Sequence, residues 1–570
     1  MSKYASIAER QIGIRYLYFL LLAASVSAQD FITPADNITT DGIPPVTAEV
    51  AEKVDRYGNY RSARFAEWHP NRLEMLITTR FGDTNQVHRV RQPLGTREQL
   101  TFFKDAVLGV GEWVAEPDGR EYFALTMDTG GDEFYQIYRF GLTSRARTLL
   151  TDGKSRFTGG VRWETTGKAA YVRVDASGRG VTRGARSETT GRLAYQRVDA
   201  NADGPYTEFW MIDPLTPGSA KHISSVRGGG WGAMDWSPDG TQLLLREYIS
   251  VNRSRIWLLD VRSGESKQLL PQDDARDISY GWGEFAPDGA SFYVTSDENG
   301  EFRELMRFRT DTLAATSLTS DIFWDVDDFD LSPDGERIAY TVNAGGFSEM
   351  YTARTDSGDV WSKTTGAFRV YGLKWHSDSN HLAYTISDAR SPGDVWVRDD
   401  AAGETTQWTA SETGIGTGSF PNAESIAWTS FDDREITGFI NRPPDTFAGK
   451  RPVVVIIHGG PEGQSRPGFL GRWNYFLNEL GIAIIYPNVR GSTGFGKSFA
   501  KLDNGMLREG TYEDIGALLD WIGEQPDLDA SRILIYGGSY GGHMTLATAT
   551  RYSDKLAGSV NLLGISNLST

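Results

Sequence analysis

No cysteine occurs in the 570 residues. That absence excludes disulfides, thiolate zinc sites, iron–sulfur clusters and a cysteine nucleophile together. Positive charge is scarce: 58 Lys and Arg stand against 75 Asp and Glu, a formal charge of −17. This balance argues against nucleic acid or an anionic membrane surface as the main partner. Long apolar runs are also missing. The run Tyr16–Ala24 has nine residues, where a spanning helix needs about 20. It follows Lys3, Arg10 and Arg15 and precedes the small residues Val26-Ser27-Ala28, so residues 1–28 read as an export signal. An uncleaved anchor is the alternative. The mature chain is expected to be periplasmic or secreted, with no stable membrane insertion. What is abundant is glycine, 63 residues, and aromatics at 12%, beside 39% apolar and 23% charged residues. Many turns and many aromatics in a soluble globular composition point to β-rich architecture.

A short signature recurs: an aromatic or aliphatic residue, Ser or Ala, then Pro-Asp-Gly, then an alternating apolar run. Clear copies are Trp236–Gly240, Phe285–Gly289 and Leu331–Gly335; weaker ones are Trp68-His-Pro70, Glu116–Gly119, Trp163-Glu-Thr165 and Trp375–Asp378. Their proline-equivalent positions are 70, 117, 165, 238, 287, 333 and 377, spaced by 47, 48, 73, 49, 46 and 44. The outlier contains a near-duplication, 164–176 repeated as 188–200, and 73 − 24 = 49 restores the period. Pro presets φ, Gly accepts positive φ, and the following run alternates as a strand does, as in Arg337–Val342. A period in the mid-forties fits a four-stranded blade, so residues 61–410 are expected to form a seven-bladed β-propeller after an N-terminal segment, 29–60. A non-closed β-sandwich array is the alternative.

From residue 411 the pattern becomes α/β. Val453–Ile457, Ile482–Tyr486, Ile533–Tyr536 and 558–563 read as parallel strands, and Ile515, Leu518, Leu519 and Ile522 mark one helix face. The third strand runs into Gly537-Gly-Ser539-Tyr-Gly541, the strand–turn–helix setting of a nucleophile elbow. There the turn is so sharp that only glycines fit two positions either side of the serine, at the start of a helix carrying Thr545, Leu546 and Ala549. The first strand ends in His458-Gly-Gly-Pro461, whose exposed N–H groups suit an oxyanion hole. Gly460 and Tyr540 are the expected backbone donors, and His458 a structural loop histidine.

His458–Gln464, Tyr486–Gly496 and Gly537–Gly542 together resemble the prolyl oligopeptidase family of serine peptidases, nearest its acylaminoacyl-peptidase and dipeptidyl-peptidase-like branch. The resemblance covers nearly the whole mature chain. It implies a β-propeller followed by an α/β-hydrolase domain (411–570), with the propeller limiting access to short peptides. It further implies Ser539 as nucleophile, Tyr540 with the 458–460 turn as oxyanion hole, and an Asp and then a His beyond the serine. Here the sequence departs from the family. Only 31 residues follow Ser539, with His543 and Asp554 the sole His and Asp among them, neither after a further strand. The triad Asp and His are thus absent, the hydrolase domain is expected to be incomplete, and the chain alone is expected to be inactive.

Three patterns imitate other chemistries. Gly491–Ser498 matches the phosphate-binding G-x-x-x-x-G-K-[ST], but the following stretch breaks at Asn504-Gly505 and lacks an apolar stripe, so nucleotide binding is not expected. Asp199-x-Asn201-x-Asp203-Gly204 resembles half a calcium loop, but Trp210 stands where a bidentate Glu is required; a turn between blade strands is expected. The acidic run 325–330 is expected to be a solvated edge. No cofactor and no metal is expected. The leading function is hydrolysis of short peptides through an acyl-enzyme on Ser539. An esterase on the same fold, or an exported propeller binding module with a vestigial hydrolase part, are the rivals.

Overall fold

Pro-Asp-Gly turns punctuate the sheets as their chemistry dictates. At Ser332–Gly335 the serine hydroxyl donates to Asp334 Oδ1 (2.5 Å) and accepts from Arg337 N (2.9 Å), while Gly335 N–H donates to Ser332 O (2.8 Å). Gly335 has φ +75°, and a Cβ there would lie 3.1 Å from Pro287 of the neighbouring blade. Turn conformation and blade packing both call for glycine.

The computed structural model describes residues 30–116, 118–155, 161–166, 169–174, 180–185, 188–201 and 204–566. The expected export signal and Pro117 of the second turn lie outside the described residues. The chain divides into two units, 1–59 and 60–570. In the first, helix Ala48–Gly58 is capped by Thr47, whose hydroxyl accepts the Val50 N–H (3.3 Å). Among the described residues no helix is long and apolar enough to cross a membrane.

In the second unit, seven sheets form a seven-bladed propeller: blades I to VII span 64–99, 109–149, 161–227, 231–270, 280–317, 326–364 and 369–407. Six have four strands in sequential order; blade III has six. Its strand Val161–Thr166 pairs with Glu188–Asn201 on one side and with Ala169–Val174 on the other, and Ala169–Val174 pairs with Gly180–Ala185. The duplication therefore adds a hairpin to one blade's edge and leaves the blade count at seven. The calcium-like stretch is a hairpin of the same blade, with Asn201 opposite Gly204 and residues 202–203 outside the described residues.

The first strand of a blade is a sheet edge, and an edge leaves N–H groups without ladder partners. In blades V to VII a carboxylate of the preceding blade takes one of them. Asp235 Oδ2 accepts from Phe285 N (2.7 Å), Glu284 Oε2 from Leu331 N (3.3 Å) and Asp330 Oδ2 from Trp375 N (2.7 Å). The ring closes from blade VII to blade I: Trp68 Nε1 donates to Lys374 O (3.0 Å) and Ser377 Oγ to Pro70 O (2.6 Å).

This corrects one expectation. The acidic run 325–330 is not a solvated edge: Val326–Leu331 is the first strand of blade VI, with Asp325 and Asp330 buried. Asp325 accepts from Arg303 N (2.8 Å), and Asp327 pairs with Arg466 (2.5 Å). The carboxylates are inside because backbone N–H groups and arginines there supply what water otherwise would.

The C-terminal part is a six-stranded sheet formed by β1 (Glu424–Thr429), β2 (Glu435–Asn441), β3 (Arg451–Ile457), β4 (Ala483–Asn488), β5 (Leu528–Gly538) and β6 (Gly558–Leu562), in the order β1-β2-β4-β3-β5-β6. Pairs from β4 to β6 are parallel; β1 and β2, which the sequence reading passed over, are antiparallel additions. Helices α1 (Trp473–Asn478), α2 (Lys497–Ala500), α3 (Glu509–Glu524) and α4 (Tyr540–Arg551) connect them. Ile515, Leu518, Leu519 and Ile522 of α3 bury their face in one core with Val455, Ile485 and Ile535. Within the described sheet β6 is the edge strand, and its Val560 and Leu562 are exposed.

Removing one inter-blade acceptor tests the ring. Asp330→Ala leaves the Trp375 N–H buried without its acceptor and is expected to cost about 1–3 kcal/mol. Asp330→Asn, whose amide oxygen still accepts, should cost less; equal chemical-denaturation midpoints for the parent and the alanine variant would show that this bond holds nothing.

Candidate active site

Ser539 sits between β5 and α4 with φ +56° and ψ −122°, a conformation that costs a non-glycine residue about 1–3 kcal/mol. The turn is held from both sides: Ser539 N–H donates to Leu562 O (3.1 Å) and Ser539 O accepts from His543 N (3.1 Å). The flanking glycines have no room for a side chain. A Cβ at Gly537 would lie 2.2 Å from Gly541 O, and one at Gly541 would lie 2.2 Å from Ile457 O. Ser539 is exposed at the amino end of α4, where the helix dipole favours negative charge. Along α4 the buried residues are Tyr540, Gly541, Gly542, Met544, Thr545 and Thr548, whereas Leu546 faces solvent.

The turn after β3 abuts the serine. A Cβ at Gly459 would lie 3.5 Å from Ser539 Cβ and 4.0 Å from Ser539 Oγ. Gly460 follows with φ +144°, in backbone that a side chain would strain. His458 has both ring nitrogens engaged by loop atoms, Nδ1 2.9 Å from Gly459 O and Nε2 3.0 Å from Ser492 Oγ. Burial lowers its pKa, so it is neutral. The Tyr540 side chain is buried, 3.5 Å from Thr511 Oγ1.

Among the described residues, no side chain hydrogen-bonds Ser539 Oγ. His543 binds Tyr512 Oη through Nε2 (2.6 Å) and Ile565 O through Nδ1 (2.9 Å). Asp554 is exposed in the short 3-10 turn Ser553–Lys555.

Two buried carboxylates went unread in the sequence. Asp514 precedes the apolar face of α3 and is fully buried. It binds Arg490 (2.8 Å) and accepts from Ser430 Oγ (2.6 Å), while Arg490 also forks onto Asp432 (2.9 and 3.1 Å). This network fixes the segment that carries Ser492 and hence His458. A charge placed against an apolar helix stripe was its only sequence signal. Asp503 is the opposite case. It is buried, neither carboxylate oxygen has a hydrogen-bond partner among the described residues, and a Cβ at Gly491 would lie 2.2 Å from its Cγ. Burial, reinforced by the Glu462 charge and opposed by Arg508, pushes its pKa up to about 6.

The phosphate-loop lookalike is occupied by the propeller. Lys497 Nζ donates to Asp297 O (2.8 Å), and Glu301 of blade V accepts from Ser498 N (2.9 Å) and Ser498 Oγ (2.8 Å). A carboxylate thus fills the place where a phosphate would bind, and α2 has only four residues. Alongside, Arg466 donates to Gly346 O (2.8 Å) and Ser348 Oγ (3.0 Å) of blade VI. Both loops dock the hydrolase sheet on the propeller.

Two expected outcomes follow from these contacts. Millimolar ATP with magnesium should leave the melting temperature unchanged, since a ligand without a site adds no stabilisation; a rise abolished by Lys497→Ala would refute this. For Asp503, the folded pKa lies above the unfolded value of about 3.9. Its stabilising share is complete below pH 4 and lost as pH rises to 6, a loss of about 2–3 kcal/mol. Asp503→Asn should therefore be more stable than the parent at pH 7, with the gap closing below pH 4 in paired thermal melts.

Residues 470–570 match the prolyl oligopeptidase family. Dipeptidyl aminopeptidase BIII of Pseudoxanthomonas mexicana is 24% identical over 95% of this chain and 67% of its own length. Dipeptidyl-peptidase 5 of Porphyromonas gingivalis is 23% identical over 58% of this chain and 50% of its own. The chain thus spans about two thirds of the first relative and half of the second. Among solved structures, a puromycin hydrolase superposes with a TM-score of 0.72 at 19% identity, covering 94% of this chain and 80% of that one, which establishes a shared fold. Residues 470–570, which hold the serine turn, thus match the prolyl oligopeptidase family, and the propeller joined to a hydrolase sheet is a fold the chain shares with that puromycin hydrolase.

Proposed function

We propose that the protein is a serine peptidase that cleaves short peptides through an acyl-enzyme on Ser539. The single observation that carries this is the strained, exposed Ser539 at the amino end of α4, with the Gly459 backbone against it. In this reading Ser539 Oγ attacks the scissile carbonyl carbon, a C–O bond forms, and the C–N bond then breaks as the amine leaves with a proton. The backbone N–H groups of Tyr540 and Gly460 stabilise the oxyanion, in the two positions this turn chemistry uses. Water then hydrolyses the ester, returning the serine. The propeller docked on the hydrolase sheet restricts access, which favours peptides over folded proteins.

No described residue takes the part of general base. His543 is tied to Tyr512 and Ile565, so the reading assigns it no proton transfer. An unassisted serine hydroxyl is a poor nucleophile at neutral pH, and an oxyanion hole alone leaves about 10³-fold acceleration over water.

The test is a fluorophosphonate label and a panel of aminoacyl-peptide, acyl-aminoacyl-peptide and simple ester substrates. Ser539→Ala should abolish labelling, and any turnover should fall toward background, by up to ~10⁶ in a fully assembled site. Turnover of esters alone would favour an esterase. Labelling at full strength in the alanine variant, or robust peptide turnover by the 570-residue chain, would overturn the assignment of nucleophile or the absence of a base, respectively.

A further inference from the structure

A cavity of about 510 Å³ lies between the propeller and the hydrolase sheet, within the size range of small-ligand sites. Every charged side chain on its wall is an arginine: Arg64 of blade I, Arg369 of blade VII and Arg466 of the loop after β3. This sign runs against the −17 of the whole chain. Arg466 is neutralised by Asp327. Arg64 is not: its guanidinium lies 5.3 Å from the Tyr371 ring centroid, and it forms no ion pair with a described residue.

A second, independent feature points into the same space. Asn441 on β2 is 2% exposed and lines the cavity, yet its side-chain amide makes no hydrogen bond to a described residue. An amide facing this space can both donate to and accept from a molecule held there. Phe439, Phe469 and Trp473 supply an apolar wall, and the Trp473 ring stands edge-on, 5.0 Å from Tyr536, three residues before Ser539.

We propose that this cavity is a carboxylate-recognising subsite for peptides. The planar Arg64 fork pairs with a peptide carboxylate, the Asn441 amide bonds the peptide backbone, and the aromatic wall takes an apolar side chain. The carboxylate is either the chain terminus or an acidic side chain. The proposal rests on the peptide reading above and names its substrate class: short peptides bearing a free carboxylate.

Calorimetric titration of the full chain with three peptides tests it: Ala-Ala-Phe, its C-terminal amide, and Ala-Asp-Phe-amide. At least one carboxylate peptide is expected to bind ~10–100-fold tighter than Ala-Ala-Phe-amide, the difference a charge-assisted hydrogen bond makes. Which one does so identifies the source of the carboxylate. Arg64→Gln should bring the ratio to within ~3-fold by removing that bond, leaving the amide's affinity in place. Arg64→Lys, which keeps the charge but not the fork, should retain part of the preference and decides the matter if the glutamine variant does not fold. No preference for a carboxylate in the parent, or a preference undiminished in these variants, overturns the proposal. Binding is read without turnover, so a failed peptidase reading and a failed subsite give different results.

Discussion

Unpaired backbone at the inner edges of the blades is the constraint on which the propeller depends. A ring of separate sheets presents one bare edge per blade to its neighbours. Here Asp235, Glu284 and Asp330 each accept an N–H from the next blade, so burying the edges and burying the carboxylates become a single transaction between polar groups. Either half alone would carry an unmet desolvation cost; together they are satisfied. Blade closure then needs no shared strand, since side-chain to backbone bonds run in both directions between blades VII and I.

The same logic sets the hydrolase sheet on this ring. Glu301 meets the amino end of α2, and Arg466 meets Asp327 beside the carbonyl of Gly346. These docking loops are continuous with the turns that shape the site: Arg466 follows the Gly459–Gly460 turn by a few residues, and Lys497 follows Ser492, which holds His458. Docking loops and site turns are therefore joined by short stretches of glycine-rich backbone.

Asp514 and Asp503 show how differently one environment treats a carboxylate. Both are buried near α3, but Asp514 is ringed by Arg490, Ser430 and a backbone N–H, whereas the Asp503 carboxylate oxygens have no hydrogen-bond partner among the described residues and burial with the Glu462 charge outweighs Arg508. The first stays in place by charge-assisted bonds; the second is accommodated by holding its proton to higher pH.

Blade repeat, turn type, α3 face and serine elbow were all legible in the sequence, because each is decided within a few residues. Pro-Asp-Gly closes a turn by its own φ preferences, and Gly537 and Gly541 are needed for a clash only four positions wide. The duplicated segment kept its blade's period because a hairpin adds to an edge without disturbing the strands beyond it. What the sequence could not decide were partnerships between distant segments. The run 325–330 looked like solvated charge until Arg303, Arg466 and the blade VII backbone were placed against it. The sequence set the phosphate-loop pattern aside for want of a packed helix, but that Lys497 is held by Asp297, 200 residues away, only the fold shows. Composition and local spacing determined which elements form; only the tertiary structure decided which charges are buried and what answers them, because desolvation and pairing depend on groups that meet only once the chain has folded.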